Sequence, residues 1–257
     1  MHRIGTTLAT IVAASALLMT AACGSAPKPV ASPSPSYVKL PDLTDRSGHP
    51  LPAPQCLLAG EGKPEVANLP SGGSALVLVL GSGPKGVVLG PQSDGDICQW
   101  MPYARKLVKL GYHVAIYEWA SPYKEIVASA YDTLRKAGAT SIVLMGASQG
   151  AATSLAYAAD MKPPAAGVIS LGGELNLNTE AVQTTTLIAR FKGPLLLITT
   201  ENDGYAPAAD TRKLADAHPG AEQVLILSGS DHGVALLTDN HAAQVTGAIE
   251  TFLNTLK

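Results

Sequence analysis

Three residues in this chain are of types that can break an acyl bond together, and each stands where an apolar run ends. Ser148 lies in Gly146-Ala147-Ser148-Gln149-Gly150, between the run Ser141 to Met145 and an alanine-rich segment with helical spacing. A serine in a sharp strand-to-helix turn leaves no room for side chains two positions away, and glycine on both sides meets that need. The turn directs the Ser148 hydroxyl out of the sheet edge. It also aims the Gln149 backbone N–H, at a helix start, towards the oxygen of an attacked carbonyl. Serine alone is a weak nucleophile and needs a base, which in turn needs a partner to hold its tautomer.

The downstream chain offers both. The run Pro194 to Thr199 opens into Glu201-Asn202-Asp203-Gly204, and Gln223 to Leu227 opens into Ser228-Gly229-Ser230-Asp231-His232-Gly233. In an open parallel sheet the loops at the carboxyl ends of the strands share one edge, so Ser148, Asp203 and His232 can converge from distant positions. The other histidines are worse placed. His49 falls in a proline-rich stretch, His113 inside a strand, His218 before Pro219 in a turn and His241 on the last helix. Glu201 is the alternative acid, and Asp203 could instead cap the helix that begins near Pro207. The chain order Ser, Asp, His and the G-x-S-x-G turn resemble the α/β-hydrolase family, and the likeness extends from about Ser74 to the C-terminus.

Apolar runs mark the strands and helices around these residues. Ser74–Leu80, Val87–Leu89, His113–Tyr117 and the runs already named are continuously apolar rather than alternating, and helices separate most of them. That pattern indicates a mostly parallel sheet covered by helices on both faces. Trp100, Ala104, Leu107 and Val108 mark one helix, stopped at Gly111. Ser121-Pro122 reads as a capped start for another, with Ile126, Ala130 and Leu134 on its buried stripe. Val245, Ala248, Ile249, Phe252, Leu253 and Leu256 mark the last. The family resemblance implies an α/β-hydrolase fold. The stretch Gly172–Gly193 is short enough to hold only a crossover helix, such as Glu180–Phe191, and a flap at Gly173–Asn178, so no large cap domain fits.

In that family the loop after an early strand usually reads His-Gly and supplies a second N–H to the oxyanion. Here it reads Leu89-Gly90-Pro91-Gln92. Pro91 has no N–H, so the resemblance implies an oxyanion hole made by Gln149 with Gln92 or Ser93. Gly81-Ser82-Gly83-Pro84-Lys85-Gly86 spells a dinucleotide fingerprint, but it opens a strand rather than a helix and is a turn. Asp94 and Asp96 lack the ligand count of a calcium loop. No metal and no cofactor are expected.

Three segments follow from composition: a leader over 1–22, a proline- and serine-rich tether over 23–54 and the α/β-hydrolase domain over 55–257. The leader has one basic residue, Arg3, then an uncharged run from Leu8 to Met19 that is too short to span a bilayer. Thr20-Ala21-Ala22-Cys23 resembles a bacterial lipobox, which implies lipidation at Cys23, an extracytoplasmic location and attachment to the cell membrane; plain secretion is the alternative. Eight prolines fall between Gly24 and Pro54, with almost no large apolar residue to build a core. Cys56 and Cys98 then remain as an even pair outside the cytoplasm, which favours a disulfide. Without the leader, 17 basic residues stand against 20 acidic ones with no basic cluster, so nothing suggests nucleic acid.

The resulting expectation is a serine hydrolase acting on carboxylic esters or related acyl bonds, on small molecules or on esters attached to the cell envelope. A peptidase or acyltransferase with the same residues, or a non-catalytic protein of the same fold that binds a ligand or partner, are the alternatives.

Overall fold

Strand residues alternate between two cores, and this alternation builds the layers. The computed structural model describes residues 36–177, 180 and 182–256. Eight strands form one sheet: β1 (Gly62–Asn68), β2 (Ser74–Leu80), β3 (Lys85–Gly90), β4 (His113–Tyr117), β5 (Ser141–Ala147), β6 (Gly167–Leu171), β7 (Leu195–Thr200) and β8 (Glu222–Leu227). Their order is β1-β2-β4-β3-β5-β6-β7-β8. From β4 to β8 all neighbours are parallel, whereas β1–β2 and β2–β4 pair antiparallel.

Helices α1 (Ile97–Lys109), α2 (Tyr123–Lys136), α3 (Gln149–Tyr157), α4 (Thr184–Ile188), α5 (Ala208–Ala217) and α6 (Ala242–Thr255) cover the sheet. Along β7, Leu195 and Leu197 enter one core with Ile126, Leu155 and Leu214 from α2, α3 and α5. Leu196 and Ile198 enter the other with Trp100, Leu107, Ile249 and Phe252 from α1 and α6. Burial on both faces is why the inner strands β4 to β7 are largely apolar, whereas the edge strands β1 and β8 are partly exposed and carry polar residues. The expected α/β-hydrolase fold is the observed one.

Three local readings differ from the observed structure, and the glycine-rich stretch before β3 agrees with it. The residues from 36 to 54, assigned to the tether on composition, pack against the domain: Ala53 is buried, and Leu40, Leu43 and Leu51 lie on the core. Prolines there set extended backbone without preventing these side chains from docking, and Leu43–Thr44 pairs with Pro50–Leu51. Ser121 does not cap α2. The cap position is Pro122, and the Tyr123 N–H donates to the carboxylate of Glu180 instead. The crossover helix is five residues, Thr184–Ile188, rather than Glu180–Phe191, because Asn176–Leu177 pairs with Val182–Gln183 as a small hairpin and so takes the residues before Thr184 out of the helix. Between β2 and β3 the glycine-rich sequence is a turn into a strand.

Cys56 and Cys98 form a disulfide that fixes the segment before β1 to the start of α1. Arg105 on α1 extends the same clamp, donating to the Cys56 carbonyl at 2.8 Å and to Glu61. Cys23 and the leader lie outside the described residues. Among the described residues no helix is long and apolar enough to cross a membrane.

Candidate active site

Backbone contact between three glycines builds the turn that carries Ser148. A Cβ on Gly146 would stand 2.2 Å from the Gly150 carbonyl carbon, and one on Gly150 would stand 2.3 Å from the Gly90 oxygen. Distances this short leave space for hydrogen alone, so α3 can start directly against β5 and β3. Ser148 sits between them at φ 53°, the one residue other than glycine with positive φ among the described residues. Such a conformation is costly for a side chain and persists where packing enforces it. Its N–H donates to the Leu171 carbonyl at 2.9 Å, which locks the turn to the end of β6.

The loops after β7 and β8 meet beside it. The His232 Nδ1 is 2.7 Å from Asp203 Oδ2. Asp203, 2% exposed, also accepts the N–H groups of Tyr205 and Ala206 at 2.9 Å each, and the Thr199 hydroxyl at 3.3 Å. Burial pushes its carboxyl up, but His232 and these backbone donors outweigh burial and hold it below the ordinary aspartate value. Asp203 therefore orders its own loop and orients His232 at once. Glu201, the alternative acid, is exposed, whereas Asp203 is buried.

Ser148, His232, Gln92, Ser93, Asp94, Glu174 and Tyr205 line one cleft of about 280 Å³. The arrangement offers a nucleophile, a base oriented by an acid, and a helix N-terminus whose first N–H groups have no intrahelical acceptor. Among the described residues, no group of three or more His, Cys, Asp or Glu side chains is placed to hold a metal.

The phospholipase/carboxylesterase family of α/β hydrolases matches residues 109–256, more than half of the chain. The chain belongs to this family. It is a carboxylesterase-like hydrolase. No curated protein matches it in sequence. Solved structures share its fold at low identity. An esterase from Pyrococcus furiosus aligns with TM-score 0.67 and 13% identity over 76% of this chain and 90% of that one. The esterase domain of a Rhodothermus marinus protein aligns with TM-score 0.63 and 17% identity, covering 76% of this chain and 99% of that one. A metagenome-derived lipolytic enzyme gives 0.62 and 16%, covering 70% and 97%.

In this hydrolase the loop between β3 and α1 departs from the expected arrangement. The Gln92 N–H donates to Gln99 Oε1 at 3.0 Å and is thus turned onto α1 rather than left for a ligand. The cause is the start of α1, where the Asp96 carboxylate caps the Cys98 and Gln99 N–H groups and sets the Gln99 side chain under the loop. Gln92 works through its other atoms. Its Oε1 accepts the Val234 N–H at 2.7 Å and its carbonyl accepts the Trp119 indole at 2.8 Å, so it ties this loop to the one bearing His232. Ser93, the neighbouring donor, lines the cleft.

Two features were not visible in the sequence. The Ser148 hydroxyl donates to Glu174 Oε1 at 3.0 Å, so among the described residues its partner is Glu174 rather than His232. Gly172, at φ +60°, clears space for the base and acid: a Cβ there would stand 2.8 Å from His232 Nδ1 and 3.1 Å from Asp203 Oδ2. The adjacent glycines after β6 are the single local signal that something crowds this turn.

Proposed function

We propose that this hydrolase cleaves carboxylic esters through a covalent acyl-enzyme on Ser148. The carrying observation is the 2.7 Å contact of His232 Nδ1 with a buried, ionised Asp203 in the cleft that also holds Ser148 at its strained turn. Substrate binding turns the Ser148 hydroxyl from Glu174 to His232 Nε2, which takes the proton as Oγ attacks the carbonyl carbon. Asp203 keeps the Nδ1 proton in place and stabilises the imidazolium. The Gln149 N–H and, with Gln92 engaged by Gln99, the Ser93 N–H receive the oxyanion. The imidazolium then protonates the departing alcohol, and water, activated by the same base, releases the acid.

The leader-like residues 1–22, the lipobox-like Cys23 and the Cys56–Cys98 disulfide support action outside the cytoplasm on a lipid anchor. Detergent partitioning of cells expressing Cys23→Ala should release the protein into the aqueous phase, and retention in the detergent phase would refute the anchor.

A fluorophosphonate probe should label the wild type and leave Ser148→Ala unlabelled, with ester hydrolysis falling at least about 10⁴-fold in the variant. Equal labelling of both, or hydrolysis unchanged by the substitution, would remove Ser148 from the role.

A further inference from the structure

The acyl-transfer scheme leaves one residue at its centre without a task. Glu174 places a carboxylate oxygen 3.0 Å from the nucleophile oxygen. In the addition step negative charge develops on the oxygen of the carbon joined to Oγ. A carboxylate so close opposes that charge for a neutral or anionic substrate. The conflict disappears when the substrate carries a positive group between them.

The rest of the cleft fits the same chemistry. Its lining holds a second carboxylate, Asp94, and, among the described residues, no lysine or arginine. Tyr205, 74% exposed, sets its ring 4.9 Å from the His232 ring at the rim. A ring held there presents a face to a cation entering beside the base.

We propose that Glu174 is a specificity-determining residue that selects esters carrying an ammonium group within a few bonds of the scissile carbonyl. The inference rests on Ser148 acting as the nucleophile. The ammonium takes the place of the Ser148 hydroxyl on Glu174, and the hydroxyl turns to His232. Cationic substrates thereby free the nucleophile, and neutral ones must displace it without compensation.

The test compares kcat/KM for isosteric pairs at low ionic strength. Acetylcholine against 3,3-dimethylbutyl acetate places the cation on the alcohol side, and alanine methyl ester against methyl isobutyrate places it on the acyl side. With each ratio divided by that of the same pair in hydroxide-catalysed hydrolysis, where an α-ammonium group alone already speeds attack, wild type should favour the cationic member of at least one pair by about tenfold to a hundredfold, and the favoured pair identifies the side. Glu174→Gln should bring that ratio close to one, and Glu174→Lys should invert it. For wild type alone, raising the salt to about 1 M should shrink the ratio, which keeps the test independent of how the variants fold. A merely structural role would lower both members of a pair together and leave the ratio intact. A wild-type ratio near one in both pairs, or a ratio that survives Glu174→Gln in folded protein, overturns the proposal. Ser148→Ala is run beside them. Hydrolysis persisting in that variant would refute the nucleophile itself, whereas an inactive Ser148→Ala with a flat wild-type ratio would refute the selectivity alone.

Discussion

A methyl group at Gly172 would press on His232 and Asp203 together, and φ +60° at that position already disfavours any side chain. Gly172→Ala should therefore lower kcat about 10- to 100-fold, far beyond its effect on folding, since displacement by an ångström is enough to spoil a proton-transfer geometry. Thermal denaturation alongside steady-state kinetics checks this, and a fall in stability with kcat unchanged would contradict it. Asp203→Asn keeps the side-chain shape and removes the charge that holds the imidazole proton. It should cost about 10³- to 10⁴-fold in kcat with the fold retained. The sign of its pH effect follows from a carboxyl held below its ordinary value: its stabilising contribution is present at neutral pH and is lost only as pH falls through that lowered value. The stability gap between wild type and Asp203→Asn, read from urea midpoints, should thus be open at pH 7 and closed in strong acid. Ser148, Asp203 and His232 could be read in the sequence because each ends an apolar run beside glycine or a turn-forming residue. Glu174 carried no such mark. Its contact with Ser148 depends on how the chain turns after β6, which no local pattern encodes.

Among the elements, the start of α1 has the most consequence for the cleft, since Gln99, Asp96 and Cys98 set the loop that Gln92 ties to His232. The disulfide closes a span of 42 positions. The loop-entropy relation gives at most about 4 kcal/mol for such a span, so Cys56→Ser with Cys98→Ser should lower unfolding stability by roughly 2–4 kcal/mol in urea titrations. A loss below about 0.5 kcal/mol would mean the link constrains little in the unfolded chain. Glu118 accepts the Ile97 N–H at 3.2 Å at the same helix start. Burial pushes its carboxyl up, the Ile97 N–H opposes this, and nearby Asp96 pushes it up further. A carboxyl raised on folding favours the native state below its unfolded pKa and loses that contribution as pH rises through the raised value. Glu118→Gln, which retains an acceptor, should then raise Tm at pH 7 and lose that advantage near pH 4. Equal shifts at both pH values would show that the charge is not the cause. Strand runs and the spacing of α1 and α6 were legible because burial on both sheet faces leaves a direct imprint on sequence. The cap of α2 was not, because Glu180 reaches it from 57 positions away.

Among the described residues, the sheet presents its carboxyl edge with only short elements beside it. From the end of β6 at Leu171 to the start of β7 at Leu195 the described chain forms a two-residue hairpin pair and the short α4. Glu180 anchors this crossing downward, accepting the Tyr157 hydroxyl of α3 at 2.6 Å as well as the α2 N–H. The crossing is thus tied to α2 and α3 through Glu180 and reaches Ser148 through the polar Glu174, and the cleft lining is largely polar. Burying a methylene is worth about 0.8 kcal/mol, or about fourfold in kcat/KM, wherever a substrate chain is covered. Here that gain should be nearly absent. For neutral p-nitrophenyl esters running from acetate to palmitate, kcat/KM should peak among the short acids and change by less than about twofold per added methylene. Crossing the micelle threshold should produce no jump in rate, because among the described residues no apolar cover stands over the cleft to be displaced at an interface. A maximum at laurate or beyond, or a sharp rise at the threshold, would show that the crossing between β6 and β7 closes over a bound chain.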